Sequence, residues 1–330
     1  MLFRSKKILV TGGAGSIGSA IVRELLQHNP NIIRVLDNNE SALFELEESL
    51  KIHDNKLRFL VGDVRDKERI GFALENIDIV FHTAALKHVP SCEYNPFEAI
   101  KTNILGTQNV IDGCLANDVK KLIFISTDKA VNPVNVMGAS KLLGERLTLA
   151  ANSYRGLHPT IFSVVRFGNV LASRGSIVPL FLQQIKNGGP VTITDERMVR
   201  FIMPLEQAVQ LILRSTELAE GGETFILQMP QIKITDLVEV MVEQLAHRFG
   251  KDPKSIKIQK IGAKKGEKLT EDLISELEQE SAIVKDNLVI IGTARSNNGK
   301  PITLPKPKML NKKEIWDVLK NLNWEDMHIS

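Results

Sequence analysis

Lys7-Ile8-Leu9-Val10-Thr11-Gly12-Gly13-Ala14-Gly15-Ser16-Ile17-Gly18 opens on a short apolar run and passes directly into spaced glycines. Lys7–Val10 reads as a buried strand, and Ser16–Gln27 beyond the glycines as an amphipathic helix. Glycines at 12, 15 and 18 let the turn tighten, the backbone approach a pyrophosphate, and the helix pack on the strand. The N–H groups at the helix start, at Ser16 and Ile17, then meet the phosphate charge. An ordinary turn also accommodates glycine. The strand–turn–helix setting is what makes this a dinucleotide site.

The next strand, Ile32–Asp37, ends on an acid about 20 residues beyond the glycine loop, where a carboxylate can accept hydrogen bonds from the adenosine ribose. A carboxylate at Asp37, with Asn38 beside it, would repel a 2′-phosphate, so NAD is expected rather than NADP. The structural alternative for Asp37 is capping a helix that starts near Asn39, and Arg34 is the nearby cation that complicates the choice. Gly62-Asp63-Val64 closes the third strand, placing Asp63 and Val64 for an adenine-edge contact or a plain turn.

Working outward, Lys56–Val61, Ile77–Phe81, Lys121–Ser126 and Thr160–Val165 read as further strands, with helical stretches such as Glu40–Lys51 between them. Apolar strands alternating with helices predict an α/β fold: a Rossmann-type, doubly wound parallel sheet. Residues 1–170 are expected to form the NAD-binding domain. Residues 171–330 mainly form a smaller α/β substrate domain, with elements near 200–230 returning to the first. Leu205–Leu218 and Thr235–Phe249 read as helices, Ser296–Gly299 as a turn and Lys306–Lys308 as a solvated connector.

Composition excludes several classes. The 330 residues carry 42 basic and 39 acidic side chains, for a net charge of +3 and no long basic run, which argues against nucleic acid. No apolar run approaches the roughly 18 residues of a membrane span, and the start lacks a signal-peptide core. Cys92 and Cys114 show neither CxxC nor His-rich spacing, so no metal site is expected and a reducing, cytoplasmic setting fits.

The densest polar cluster, Ser126-Thr127-Asp128-Lys129, lies at the carboxyl end of strand five, where such sheets bind ligands. Position alone leaves a polar strand-to-loop transition as the alternative. Met137-Gly138-Ala139-Ser140-Lys141 opens a helix, with Met137 and Lys141 on one face.

Here the chain resembles the extended short-chain dehydrogenase/reductase superfamily, whose hallmark is Tyr-x-x-x-Lys; Met137 stands where the tyrosine belongs. The stretches His82–Pro90, Ser126–Pro133, Arg166–Val170, Ser173–Ser176 and Gly266–Leu269 look like polysaccharide-biosynthesis UDP-N-acetylglucosamine 4,6-dehydratases. The likeness runs from about residue 6 to 275. Methionine at 137 resembles the branch that retains configuration at C5.

The resemblance implies oxidation at C4, loss of water across C5–C6 and return of hydride to C6. It implies Lys129 as the C5 base, Asp128 as the acid at the C6 oxygen, Thr127 at the 4-oxygen and Lys141 at the nicotinamide ribose. A base lysine must be neutral, and an ionised Asp128 beside it would oppose that. Ala84, Ala85 and Lys87 fall near the cofactor; Lys87, His88, Asn169, Arg174, Arg200 and Glu267 are candidates for holding substrate. Lys264-Lys265 stands where the family usually has Arg-Pro. Expected partners are a UDP-linked amino sugar and other copies of the chain as a homo-oligomer, with neither nucleic acid nor membrane. A C5-inverting dehydratase or a UDP-sugar 4-epimerase is the alternative enzyme, and a non-catalytic dinucleotide sensor the alternative outside enzymes.

Overall fold

A computed structural model describes residues 2–285, 287–292, 306–322 and 324. The first half alternates β1 (Lys7–Thr11), α1 (Ser16–Gln27), β2 (Ile32–Asp37), α2 (Glu40–Ser49), β3 (Leu57–Val61), α3 (Lys67–Leu74) and β4 (Ile79–His82). Short helices α4 (Val89–Tyr94) and α5 (Pro96–Ala99) lead through a π-helical stretch, Ile100–Leu105, into α6 (Gly106–Ala116). β5 (Lys121–Thr127), α7 (Val136–Tyr154), β6 (Ile161–Phe167) and β7 (Asn169–Val170) complete this half.

Beyond it come α8 (Ile177–Lys186), β8 (Val191–Ile193), β9 (Val199–Met203), α9 (Leu205–Leu218), β10 (Thr224–Leu227) and β11 (Gln231–Lys233). α10 (Ile234–Leu245), β12 (Ile258–Lys260), α11 (Glu276–Gln279), β13 (Ala282–Lys285), β14 (Leu288–Ile291) and α12 (Lys312–Leu319) follow.

Among the described residues the main sheet has nine strands in the order β13-β14-β10-β6-β5-β4-β1-β2-β3. The run from β3 to β10 is parallel, while β14 and β13 join antiparallel. Ile8, Leu9 and Val10 show why: these three β1 residues are apolar on both faces and have no exposure. One face carries α1, α2 and α9; the other carries α3 and α6, packed through Ile70, Leu74, Val110 and Ile111. The strand order reverses between β1 and β4, so their carboxyl ends open the crevice where such sheets take ligands.

A second apolar cluster joins α8, α10 and α12 with β8 and β9, including Val178, Phe181, Leu237, Met241 and Ile315. The later chain also returns to the main sheet through β10, β14 and β13. Two expected helices stop short: α2 ends at Ser49 before a 3-10 turn, and α10 at Leu245 before another that closes on left-handed Gly250. The side chains of Lys306–Lys308 are exposed as expected of a connector, but the backbone there is not free, since Gln231 N donates to Lys308 O at 2.8 Å. Ser296–Gly299 lies outside the described residues.

Arg166, on β6, is 1% exposed and forks onto two carboxylates. Its Nη2 meets Glu145 of α7 at 2.6 Å and Glu278 of α11 at 2.8 Å, and Nη1 donates to Leu273 O at 2.9 Å. Removing the guanidinium would strand buried carboxylates, so Arg166→Met should cost about 3–5 kcal/mol in urea unfolding. A loss under about 1 kcal/mol would show that the fork is dispensable.

Candidate active site

The glycine turn meets α1 through bare backbone. A Cβ on Gly18 would lie 2.2 Å from Gly12 O, so no other residue lets the helix sit this close. α1 starts at Ser16 after Gly15 and has no side-chain cap, leaving first-turn N–H groups for an anion. The Asp37 carboxylate accepts from Ala14 N and Asn39 N, each at 3.0 Å, which holds it against the turn. Capping of α2 falls to Asn39, which accepts from Ala42 N. Arg34 is spent on the carbonyls of Ala73 and Glu75.

Asn38 reaches Asp63 at 3.4 Å, and Arg65 clasps Asp63 and holds its carboxyl below the usual range. Val64 is buried. Ala84 backs directly on Gly12. These features fit a dinucleotide: an uncapped helix start, a turn without side chains and a ribose-side acid.

At the end of β5 the strand does not continue. Asp128–Ala130 forms one 3-10 turn, with Thr127 Oγ1 accepting from Lys129 N at 3.4 Å. The turn brings Asp128 and Lys129 to the same place, where a continuing strand would have separated them. Asp128 is fully buried, and its Oδ1 accepts from Thr127 Oγ1 at 2.8 Å and from Lys129 Nζ at 2.9 Å. Lys129 Nζ also reaches Asn169 Oδ1 at 3.4 Å. A Cβ on Gly138 would lie 2.2 Å from Lys129 O, so a glycine is needed for α7 to lie on this turn.

Lys141 is 6% exposed; its Nζ donates to Ile125 O at 2.5 Å and stands 4.0 Å above the Phe124 ring. Burial pushes it down to about 7, with Glu145 pulling the other way. Met137 is buried in a small apolar cluster with Cys92 and Ala99.

Other expected residues fall elsewhere. Arg174 lies across the glycine turn: its backbone N donates to Ser16 Oγ at 2.9 Å and its guanidinium to Ala14 O. Lys87 Nζ donates to Arg174 O at 2.6 Å, and the His88 ring packs against Gly175. Arg200 is 8% exposed, and its guanidinium donates to the carbonyls of Val199, Lys268 and Leu269, bracing that segment. Glu267 accepts from Lys264 N, closing its own turn.

Two residues in the site had no signal in a single sequence. Asn103, in the π-helical stretch, is buried and bonds both Leu86 N and Leu86 O, and its Nδ2 donates to Ser140 Oγ. It ties the loop after β4 to α7. Glu271 is 3% exposed, with Oε1 4.0 Å from Lys129 Nζ and Oε2 3.8 Å from Lys268 Nζ. Only the neighbouring Gly266–Leu269 motif pointed near it.

The fold and site define an extended short-chain dehydrogenase/reductase architecture. Residues 8–293 match the polysaccharide biosynthesis protein family, and the chain belongs to that family. It is 55% identical to a Methanocaldococcus jannaschii chain named "Uncharacterized membrane protein MJ1061", over 98% of this chain and 97% of that one. It is 47% identical to a Campylobacter jejuni UDP-N-acetylglucosamine 4,6-dehydratase (inverting), over 83% and 79%. A UDP-glucose 4-epimerase of Rickettsia prowazekii is 41% identical over 83% and 79%. The X-ray structure of Pen from Bacillus thuringiensis superposes with a TM-score of 0.92 at 43% identity, covering 98% and 99%. Among the described residues, no helix is long and apolar enough to cross a membrane.

Lys141 yields a pH test of this geometry. Unfolded, it titrates near 10.5; folded, near 7, so between those values only the unfolded chain binds the proton. Stability then falls as pH drops through the window, by up to about 1.4 kcal/mol per unit, and the deficit is complete below about 7. Lys141→Met should flatten that slope in urea unfolding at pH 7 and 9. Equal slopes in the two proteins would show that Lys141 is charged inside the fold.

Proposed function

We propose that this chain is a UDP-N-acetylglucosamine 4,6-dehydratase that uses NAD, retains configuration at C5 and works in the cytoplasm, as one subunit of a homo-oligomer. The observation that carries the reading is the Thr127–Asp128–Lys129 chain at the carboxyl end of β5, with an amine 2.9 Å from a fully buried carboxyl. The named dehydratase relative supports the substrate and reaction.

Bound NAD supplies the hydride acceptor at C4 and the donor at C6; the turn at 12–18, Asp37 and Lys141 would hold it. Thr127 faces the 4-oxygen, and its hydroxyl leads to Asp128. Lys129 takes the C5 proton, which the new 4-ketone has acidified. Asp128 gives a proton to the departing C6 oxygen. An amine and a carboxyl 2.9 Å apart can exchange a proton directly. The elimination needs the amine neutral as base and the carboxyl protonated as acid. Lys141, when charged, favours an alkoxide at C4.

The epimerase relative favours a second reading, hydride return to C4. An epimerase has no use for an acid–base pair at C5 and C6. Incubation with UDP-N-acetylglucosamine and NAD, followed by mass spectrometry and NMR, separates the readings. The expected product has lost one water and keeps its C5 configuration; an unchanged mass with inverted C4 would establish the epimerase.

Thr127→Val should slow C4 oxidation by about 10²-fold or more, the scale of a lost acid–base path, read as cofactor absorbance in a single turnover. Met137→Leu, of similar volume, should stay within about tenfold of the parent. The opposite ranking would show that the proton does not leave through Thr127.

A further inference from the structure

We infer that Glu271 is the third proton station of the site, a positioning carboxylate that works through Lys129. This rests on the dehydratase reading. Lys129 Nζ has three acceptors around it: Asp128 Oδ1 at 2.9 Å, Asn169 Oδ1 at 3.4 Å and Glu271 Oε1 at 4.0 Å. A shift of about 1 Å, within ordinary side-chain motion, carries the amine from one carboxylate to the other.

Glu271 is 3% exposed, and its Oε2 has no hydrogen-bond partner. The cations nearby do not satisfy it. Lys268 donates to Val131 O and stays 3.8 Å from Oε2, while Arg200 is spent on backbone carbonyls. A buried carboxyl left unbonded costs stability, so a purely structural role would be served better by a bonded or apolar side chain. Burial raises Glu271 above the ordinary carboxylate range, with Asp128 adding to the rise and Lys129, Arg200 and Lys268 opposing it.

Proton counting shows why two stations do not suffice. At rest Lys129 and Asp128 share one proton. Oxidation at C4 releases the hydroxyl proton, which passes through Thr127 to Asp128. Lys129 must now be neutral to take the C5 proton, while Asp128 must keep its own for the C6 oxygen. The proton already on Lys129 therefore goes to Glu271.

Breaking C5–H and C6–O then forms the C5–C6 double bond and releases water made with the Asp128 proton. When hydride adds to C6, Lys129 returns its proton to C5, and Glu271 gives its proton back to Lys129. Two protons leave the sugar; one returns to C5 and the other departs in the water, so the site ends as it began.

The test is single-turnover reaction of parent and variants with UDP-N-acetylglucosamine in D2O, following cofactor absorbance for oxidation and mass spectrometry for deuterium at C5. Glu271→Gln should oxidise C4 at near the parental rate but lose C5 exchange about 10²-fold or more. Its residual exchange should climb with pH as hydroxide substitutes for the missing carboxylate. Glu271→Asp keeps a carboxyl and should recover part of the exchange, and it answers the question should the Gln variant not fold. Parental exchange in Glu271→Gln, or equal slowing of both steps in either variant, would overturn the inference while leaving the dehydratase reading intact. A parent chain that neither loses water nor exchanges C5 would take both down.

Discussion

The buried Arg166 fork is the interaction on which the site depends. β6 supplies the guanidinium, α7 supplies Glu145 and α11 supplies Glu278, so one side chain joins the sheet, the helix of Lys141 and the segment that follows Glu271. Burial works against the charge, but Glu145 and Glu278 outweigh it and raise Arg166, so it remains cationic at any working pH. A planar fork can meet two carboxylates and a carbonyl at fixed angles, which a lysine cannot do. Glu271 lies only two residues from Leu273, whose carbonyl the fork also holds. The backbone two residues from the carboxylate facing Lys129 is thus held by this ion cluster.

The start of α7 makes a second such joint. Asn135 accepts from Gly138 N at 2.7 Å as the helix cap and donates to Gly266 O at 2.8 Å. Gly138 then lets the helix rest on the Lys129 carbonyl. The Asp128–Lys129 turn is therefore gripped by α7 beneath and by the Gly266–Glu271 segment from the side. A buried carboxylate needs such rigid surroundings, because they keep its hydrogen-bond partners in place.

What the sequence disclosed follows from what is local. The parallel sheet was legible because strands buried on both faces must be continuously apolar, as Ile8–Val10 and Leu122–Ile125 are. The glycine turn was legible because close backbone approach leaves only glycine. Asp37, Asp128 and Lys129 could be named from their places at strand ends. Arg200 and Arg174 could not be placed, since an arginine's reach spans several carbonyls and only the assembled fold decides which it meets. Glu271 and Asn103 were missed for a related reason: their partners lie 142 and 17 residues away, and neither carries a spacing that marks it. The ends of α2 and α10 turned to 3-10 geometry without a proline or glycine to announce it.

Methionine at 137 makes sense within this arrangement. In the superfamily pattern a phenol would take the proton released at C4, but here a thioether with no proton to exchange lies against Cys92 and Ala99. The path from Thr127 Oγ1 to Asp128 Oδ1, 2.8 Å long, offers that proton another exit. In the proposed dehydration it also delivers the proton to Asp128, the acid assigned to the C6 oxygen. A phenol at 137 would divert it to a different place, and Asp128 would have to be charged some other way. On the proposed reading, loss of the tyrosine is a rerouting of one proton, consistent with an intact Lys141 and with a turn at 128–130 that keeps acid and base side by side.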